Sequence, residues 1–247
     1  MIHEVPTRLA PPFWRHDAYT LRRLVNAVSG AARTLLPSGD HMHAACVVDL
    51  GAGSSPYRSL FEKRGARYIP CDIDVPMSGD IVPMESGKPV PLPDGSAHVV
   101  ASFQVLEHVW DIDWYLGEAY RLLRTDGDLL LSTHGTWLYH PHPTDFRRWT
   151  RDGLVREIES RGFTVKSVVP LVGPLVWTTQ FRTLGYHSIL ARIPVIGPVI
   201  SALLCACMYL RMRVEDALTP PEWISANAAV YVVTARKTLS TATGGDE

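Results

Sequence analysis

A continuous apolar run, AACVVDL at 44–50, carries a single acid one residue before its end and passes directly into the turn GAGSSP and the helical stretch SPYRSLFEKRG. A run that is apolar on both faces is a buried strand of a parallel sheet. A parallel strand reaches its neighbour only through a crossover, usually a helix. The alternation continues. ARYIPCDID at 66–74, GDIVP at 79–83, AHVVASFQV at 97–105 and DGDLLLSTHG at 126–135 read as strands two to five, with the amphipathic DWYLGEAYRLLR at 113–124 before the last. This pattern predicts an α/β fold with a doubly wound parallel sheet. Ligands of such sheets sit outside the carboxyl ends of the strands.

Further along, Thr150 caps a predicted helix, RDGLVREIESR. FTVKSVVPL at 163–171 and AAVYVVTARK at 228–237 are the sixth and seventh strands, and the tail STATGGDE is expected to fray. At the other end, AYTLRRLVNAVSGAARTLL at 18–36 has helical spacing, and PSGD at 37–40 ends it. One domain is expected over 1–247: a helical lid at 1–43, a core sheet from 44–171 and 227–238, an insertion at 172–226 and a tail at 239–247. The net charge of −1 offers no basic field for nucleic acid. The four cysteines form no C-x-x-C pair, which suits reduced thiols in a cytoplasmic protein. MIHEVPTRLAPPFWRHD has no apolar core, so no secretory signal is expected.

Residues 193–210 carry no charge and lie between Arg192 and Arg211. The length approaches the ~20 residues that cross a bilayer. Pro194, Gly197 and Pro198 are expected to break the first turns, leaving a buried or pocket-lining helix of roughly a dozen residues. A peripheral membrane or lipid contact, a lid and a homodimer contact are the other readings of the same stretch.

The turn after strand one carries the first chemistry. Gly51 and Gly53 let the backbone approach a ligand, and the helix start beyond them offers free N–H groups. Asp72 ends strand two, about 20 residues on, where a carboxylate accepts from both ribose hydroxyls. Asp74 is a lesser alternative. Pro56 stands where a dinucleotide turn has its third glycine, which argues against a dinucleotide.

The run VVDLGAGSSPYRSLF, then YIPCDID, GDI, PLPDGSAHVVASFQVLEHV and LLRTDGDLLLST, resembles class I S-adenosylmethionine-dependent methyltransferases, with order and spacing matching over 45–133. The resemblance is to the branch that methylates small molecules and sugars in bacterial secondary metabolism and polysaccharide assembly. It implies a Rossmann-like seven-stranded sheet closed by an antiparallel hairpin, with a small helical and loop cap over the substrate. It also implies roles. Asp49, Gly51, Ala52 and Gly53 would surround the methionyl part of the cofactor. Asp72 would take the ribose, with Ile73 against adenine. Asp80 would reach the adenine amino group beside Ile81. Phe103 and Gln104 would flank the methionyl amine and the reacting methyl.

In this class the cofactor carries the activated methyl and the protein mainly orients. An oxygen nucleophile also needs a base. THGTWLYHPHPTDFRRWT at 133–150 overhangs the same sheet edge. His134 is the first choice for the base, because it ends strand five, and His140 the second, with Asp145 to orient one of them. Trp137 and Tyr139 suit stacking on a sugar or ring, His142 belongs to the same acceptor wall, and Arg147 and Arg148 suit a carboxylate or phosphate. No metal is expected. The histidine spacing matches no zinc motif. Gln104 replaces the first acid of the acid-x-x-Glu-His site found in some quinone O-methyltransferases, although Glu107 and His108 follow. In the N-terminal helix, Trp14, His16, Tyr19 and Arg22 are potential lid contacts, with Arg22 toward the cofactor carboxylate.

The expected function is therefore O-methylation of a small-molecule acceptor, a sugar or secondary-metabolite intermediate, by a cytoplasmic enzyme. C- or N-methylation of a hydrophobic or lipid-linked acceptor is the alternative. A non-catalytic protein that binds S-adenosylmethionine as a partner is the alternative of another class.

Overall fold

The computed structural model describes residues 8–36, 45–73, 79–141 and 144–238. The predicted stop at 37–40, Asp74, His142 and the tail lie outside the described residues. In chain order the elements are α1 (Ala18–Leu35), β1 (Cys46–Leu50), α2 (Arg58–Glu62), β2 (Arg67–Asp72), β3 (Val82–Pro83), β4 (Ala97–Phe103), α3 (Ile112–Leu122), β5 (Leu123–His134), α4 (Arg151–Glu159), β6 (Phe163–Leu171), α5 (Pro174–Leu190), α6 (Ile196–Leu218), α7 (Pro221–Ala226) and β7 (Val230–Lys237). The seven strands form one sheet in the order β3-β2-β1-β4-β5-β7-β6. β1 pairs in parallel with β2 and β4, and β4 with β5. β7 runs antiparallel to both β5 and β6. This is the Rossmann-like α/β sheet with a closing antiparallel hairpin that the motif order implied.

The period of a strand explains the two-sided core. Val48, Val100 and Leu129 face a cluster completed by Leu116 and Leu122 of α3 and by Leu154 and Ile158 of α4. Their neighbours Val47, Val99 and Leu130 face the other way, against Leu24, Val28 and Ala32 of α1. Those three positions repeat every fourth residue, which is the stripe an amphipathic helix buries. Thr150 caps α4, its Oγ1 accepting from the Gly153 N–H at 3.2 Å.

One expectation changes. α6 runs 23 residues, Ile196–Leu218, and is neither short nor buried. Gly197 and Pro198 occupy its first turn, where proline needs no donated hydrogen bond and so starts a helix without breaking it. The helix packs against α5 through Gly197, Ser201 and Cys205, and Met212 reaches the core. Met208 and Tyr209 also pack against the core, Tyr209 meeting Phe13 and Tyr19, while Ile196, Val199, Leu203 and Leu210 are exposed.

Candidate functional site

The carboxyl ends of β1, β2, β4 and β5 open onto a cavity of about 960 Å³. Its floor is the turn after β1. Gly51 has φ +74°, and a Cβ there would come within 2.6 Å of Val105, so both conformation and space require glycine. The Gly51 and Ala52 amides donate to the Cys71 carbonyl at 2.8 and 3.0 Å, which ties the turn to the end of β2. The Gly53 N–H donates to Asp72 Oδ2 at 2.6 Å.

Asp49 is buried, and its Oδ2 accepts from the Tyr68 hydroxyl. Its Oδ1 has no hydrogen-bond partner among the described residues. Burial pushes the Asp49 carboxyl up to about 7; the Tyr68 hydrogen bond opposes that rise and the Asp72 charge adds to it. A buried carboxylate oxygen facing a cavity without a partner fits a ligand that brings a positive charge. S-adenosylmethionine brings two, a sulfonium and an ammonium. The glycine cradle, Asp49 and Asp72 therefore suit that cofactor, with Ile73, Ile81, Phe103 and Gln104 also lining the cavity. Gln104 holds φ +57°, fixed by its N–H on the Ser132 carbonyl at 2.9 Å and its Nε2 on Ser132 Oγ at 3.1 Å. Such an outlier persists where surrounding structure over-determines it.

The opposite wall belongs to β5 and the loop after it. His134 is buried, its Nδ1 lies 2.8 Å from Glu107 Oε1, and its ring stacks on Trp137 at 5.1 Å. Thr133 Oγ1 donates to Glu107 Oε2 at 2.8 Å. Burial favours the neutral acid at Glu107, but the neighbouring His134 and the Thr133 hydrogen bond outweigh it and hold the carboxyl below its usual range. A carboxylate beside Nδ1 favours the tautomer with its proton on that nitrogen, which would turn Nε2 into the acceptor. His140 meets His134 edge to face at 5.0 Å. Burial, then the neighbouring His134 and His108, push the His140 imidazole down to about 4. That makes His140 a poor proton acceptor at neutral pH.

Ligating atoms of Glu107, His134 and His140 lie within 4.8 Å of one another. The 2.8 Å between Glu107 Oε1 and His134 Nδ1 is a hydrogen-bond distance, although neither atom has a partner of hydrogen-bond geometry among the described residues. By proximity the two form a carboxylate–imidazole dyad, and with His140 they are also donors of the kind that hold a divalent ion.

Other predicted residues fall elsewhere. Asp145 accepts from the His140 backbone N–H at 2.8 Å and from both terminal nitrogens of Arg148 at 2.5 Å, so it braces the loop instead of orienting an imidazole. Arg148 also donates to the Trp137 and Leu138 carbonyls. Arg147 donates to the Val109 and Trp110 carbonyls and stacks over the Trp110 ring. The structure thus gives both arginines to the protein's own groups. Tyr139 is exposed and does not line the cavity. Asp80 is exposed, 3.9 Å from Arg58, and borders a separate, smaller recess with Ile81. Arg22 donates to the Pro11 carbonyl; from the N-terminal region it is Arg8, Asp17, Thr20, Leu21 and Leu24 that line the cavity. Trp110, Trp114 and Phe146 add an aromatic wall.

Strand order, glycine turn and terminal acid are those of the class I S-adenosylmethionine-dependent methyltransferase fold. The profile of the family described as "Methyltransferase domain" matches residues 48–131, and over those residues the chain is similar to that family. A Mycolicibacterium smegmatis protein named "probable S-adenosylmethionine-dependent methyltransferase" is 35% identical over 86 residues, which cover 32% of this chain and 34% of that protein. The chain spans about a third of the length of the curated relatives it matches. Among solved structures, geranyl diphosphate methyltransferase in complex with S-adenosylmethionine is similar at TM-score 0.52 and 15% identity, over 89% of this chain and 87% of that one. The 4+2 cyclase SpnF is similar at TM-score 0.54 and 15% identity, over 87% of this chain and 82% of that one. A cyclase and a transferase on one fold mean that the reaction must be argued from the site.

Proposed function

We propose that this protein transfers the methyl group of S-adenosylmethionine to a hydroxyl of a small, ring-containing acceptor. The observation that carries the reading is a single cavity with a cation-seeking carboxylate and a ribose-type acid at one end and the Glu107–His134 dyad at the other. When bound, the cofactor supplies a methyl already activated on sulfonium sulfur. Asp49 faces its positive charge, Asp72 accepts from its ribose hydroxyls, and the Gly51–Gly53 turn admits it closely. Trp137, Trp110 and Trp114 stack on the acceptor ring and exclude water. His134 Nε2 takes the hydroxyl proton as the acceptor oxygen gains the methyl, and the ionised Glu107 stabilises the imidazolium that forms. A sugar or a secondary-metabolite intermediate suits this wall.

The apolar cavity lining also favours a second reading, in which the acceptor is hydrophobic or lipid-linked and the atom methylated is carbon or nitrogen. Formation of S-adenosylhomocysteine is the test, measured with S-adenosylmethionine and panels of glycosidic, phenolic and lipid-linked acceptors. Turnover with a hydroxyl acceptor that disappears in His134→Gln supports the proposal. Turnover with a carbon or nitrogen acceptor moves the second reading forward. S-adenosylmethionine binding with no turnover in any panel leaves a cofactor-binding partner protein instead.

A further inference from the structure

The α5–α6 hairpin is the least conventional part of the surface. Between residues 188 and 200 every side chain is exposed except those of Leu190 and Gly197. Ile189, Val195, Ile196, Val199 and Leu203 are each between 59% and 87% exposed. A soluble monomer rarely leaves so much contiguous aliphatic surface in water. At its tip the hairpin is closed by contacts between its own two helices. A Cβ at Gly197 would meet the Leu190 carbonyl at 2.1 Å, so glycine lets the two helices close at the tip. Below the tip, His187 donates or accepts at Ser201 Oγ across 2.8 Å and stacks on His16 at 4.1 Å. From Phe181, which meets Trp137, α5 runs on for about 15 Å at the helical rise.

Charge says what meets this surface. Residues 174–214 contain four arginines, Arg182, Arg192, Arg211 and Arg213, and no acid; Arg211 is paired with Glu215 at 2.7 Å, and Arg192 stands at the tip. Two copies docked tip to tip would bring their Arg192 side chains together. A negatively charged lipid surface would attract Arg192. α6 is long and apolar enough to cross a bilayer, but its last turns bury Met212 in the core and carry Arg211 and Arg213. Only the tip is free to enter.

We infer that the α5–α6 hairpin docks the protein on an anionic lipid surface, with its aliphatic tip in the boundary between headgroups and acyl chains and Arg192 among the phosphates. The inference rests on the hairpin and stands apart from the transferase reading. It bears on that reading through position. β6 runs parallel to β5, so α5 leaves from the same sheet edge that opens onto the cavity, and Trp137 lies between His134 and Phe181.

The test is flotation of the purified full chain with phosphatidylcholine vesicles, with and without phosphatidylglycerol. The chain should float with the anionic vesicles and far less with the neutral ones. Val195→Asp/Val199→Asp/Leu203→Asp should lower the floated fraction by about tenfold or more. Arg192→Gln should weaken the anionic preference, and Arg192→Glu should remove it. Unchanged S-adenosylmethionine binding by these variants in calorimetry would show that the fold and the cofactor site survive. Wild-type protein that stays at the bottom of the gradient with both vesicle types overturns the inference. So does light scattering that finds a dimer made monomeric by the triple variant.

Discussion

The Gly53 N–H donates to the Asp72 carboxylate across 2.6 Å. This bond joins the turn after β1 to the end of β2, and it fixes how the Asp72 carboxylate is turned at the cavity edge. Asp72→Asn keeps an acceptor for Gly53 and removes the charge. Affinity for S-adenosylmethionine in calorimetric titration should fall by roughly 10- to 100-fold, the worth of a charge-assisted hydrogen bond. The melting temperature should barely move. An unchanged affinity would remove Asp72 from the cofactor site.

Asp49 predicts a pH dependence. Its folded value of about 7 lies above its ordinary 3.8, so the ligand-free protein holds a proton there through the mildly acidic range. A cation beside the carboxyl favours the ionised form. Binding of S-adenosylmethionine should therefore strengthen as pH rises toward 7 and level off above it, with proton release below 7. Calorimetry in buffers of different ionisation enthalpy measures that release directly. Asp49→Asn should bind more weakly and without the pH slope, and a slope that persists in the variant would place the proton elsewhere.

The dyad should separate from the binding residues kinetically. With a working acceptor, His134→Gln should lower kcat by roughly 100- to 10,000-fold, the range of general-base effects. Glu107→Gln should lower it by roughly 10- to 100-fold, because the imidazolium loses its anionic neighbour. Neither should change affinity for S-adenosylmethionine. Equal losses of affinity and turnover would make the pair structural.

Arg148 should behave as a brace. Arg148→Lys gives up the two-pronged contact with Asp145 and the carbonyl contacts of the loop. The melting temperature should fall by roughly 2–8 °C, with acceptor KM little affected. A raised KM at an unchanged melting temperature would return Arg148 to the acceptor.

The residues that were legible in the sequence are those whose signal is local. VVDLGAG announces a strand, a left-handed turn and a helix start within one short segment, and Asp72 follows at a characteristic interval. The Glu107–His134 contact is different in kind. It exists because β4 and β5 are neighbours in the sheet, and no spacing along the chain encodes that adjacency. Arg147 and Arg148 were misleading for a related reason: a guanidinium suits an acceptor phosphate and a loop carbonyl equally well, and only the fold of 134–150 decides between them. In the hairpin, Pro194, Gly197 and Pro198 read as helix breakers, yet Gly197 and Pro198 sit in the first turn of α6, where they are harmless. Whether the helix that follows is buried depends on what the rest of the chain places beside it.

The sheet order has one more consequence. The segment shared with the methyltransferase-domain family ends at residue 131, inside β5. The residues proposed to hold the cofactor stand at the ends of β2, β1 and β4, while the loop after β5, the hairpin and the closing strands occupy the other flank. The two flanks meet along β4 and β5 through backbone pairing and a few side-chain contacts, Gln104 with Ser132 and Glu107 with Thr133 among them. A lineage is thus free to rebuild the second flank, exchanging one acceptor or anchoring device for another, while inheriting the first unchanged. Kinship along the first flank marks common descent, and divergence along the second marks the separate trades its descendants have taken up.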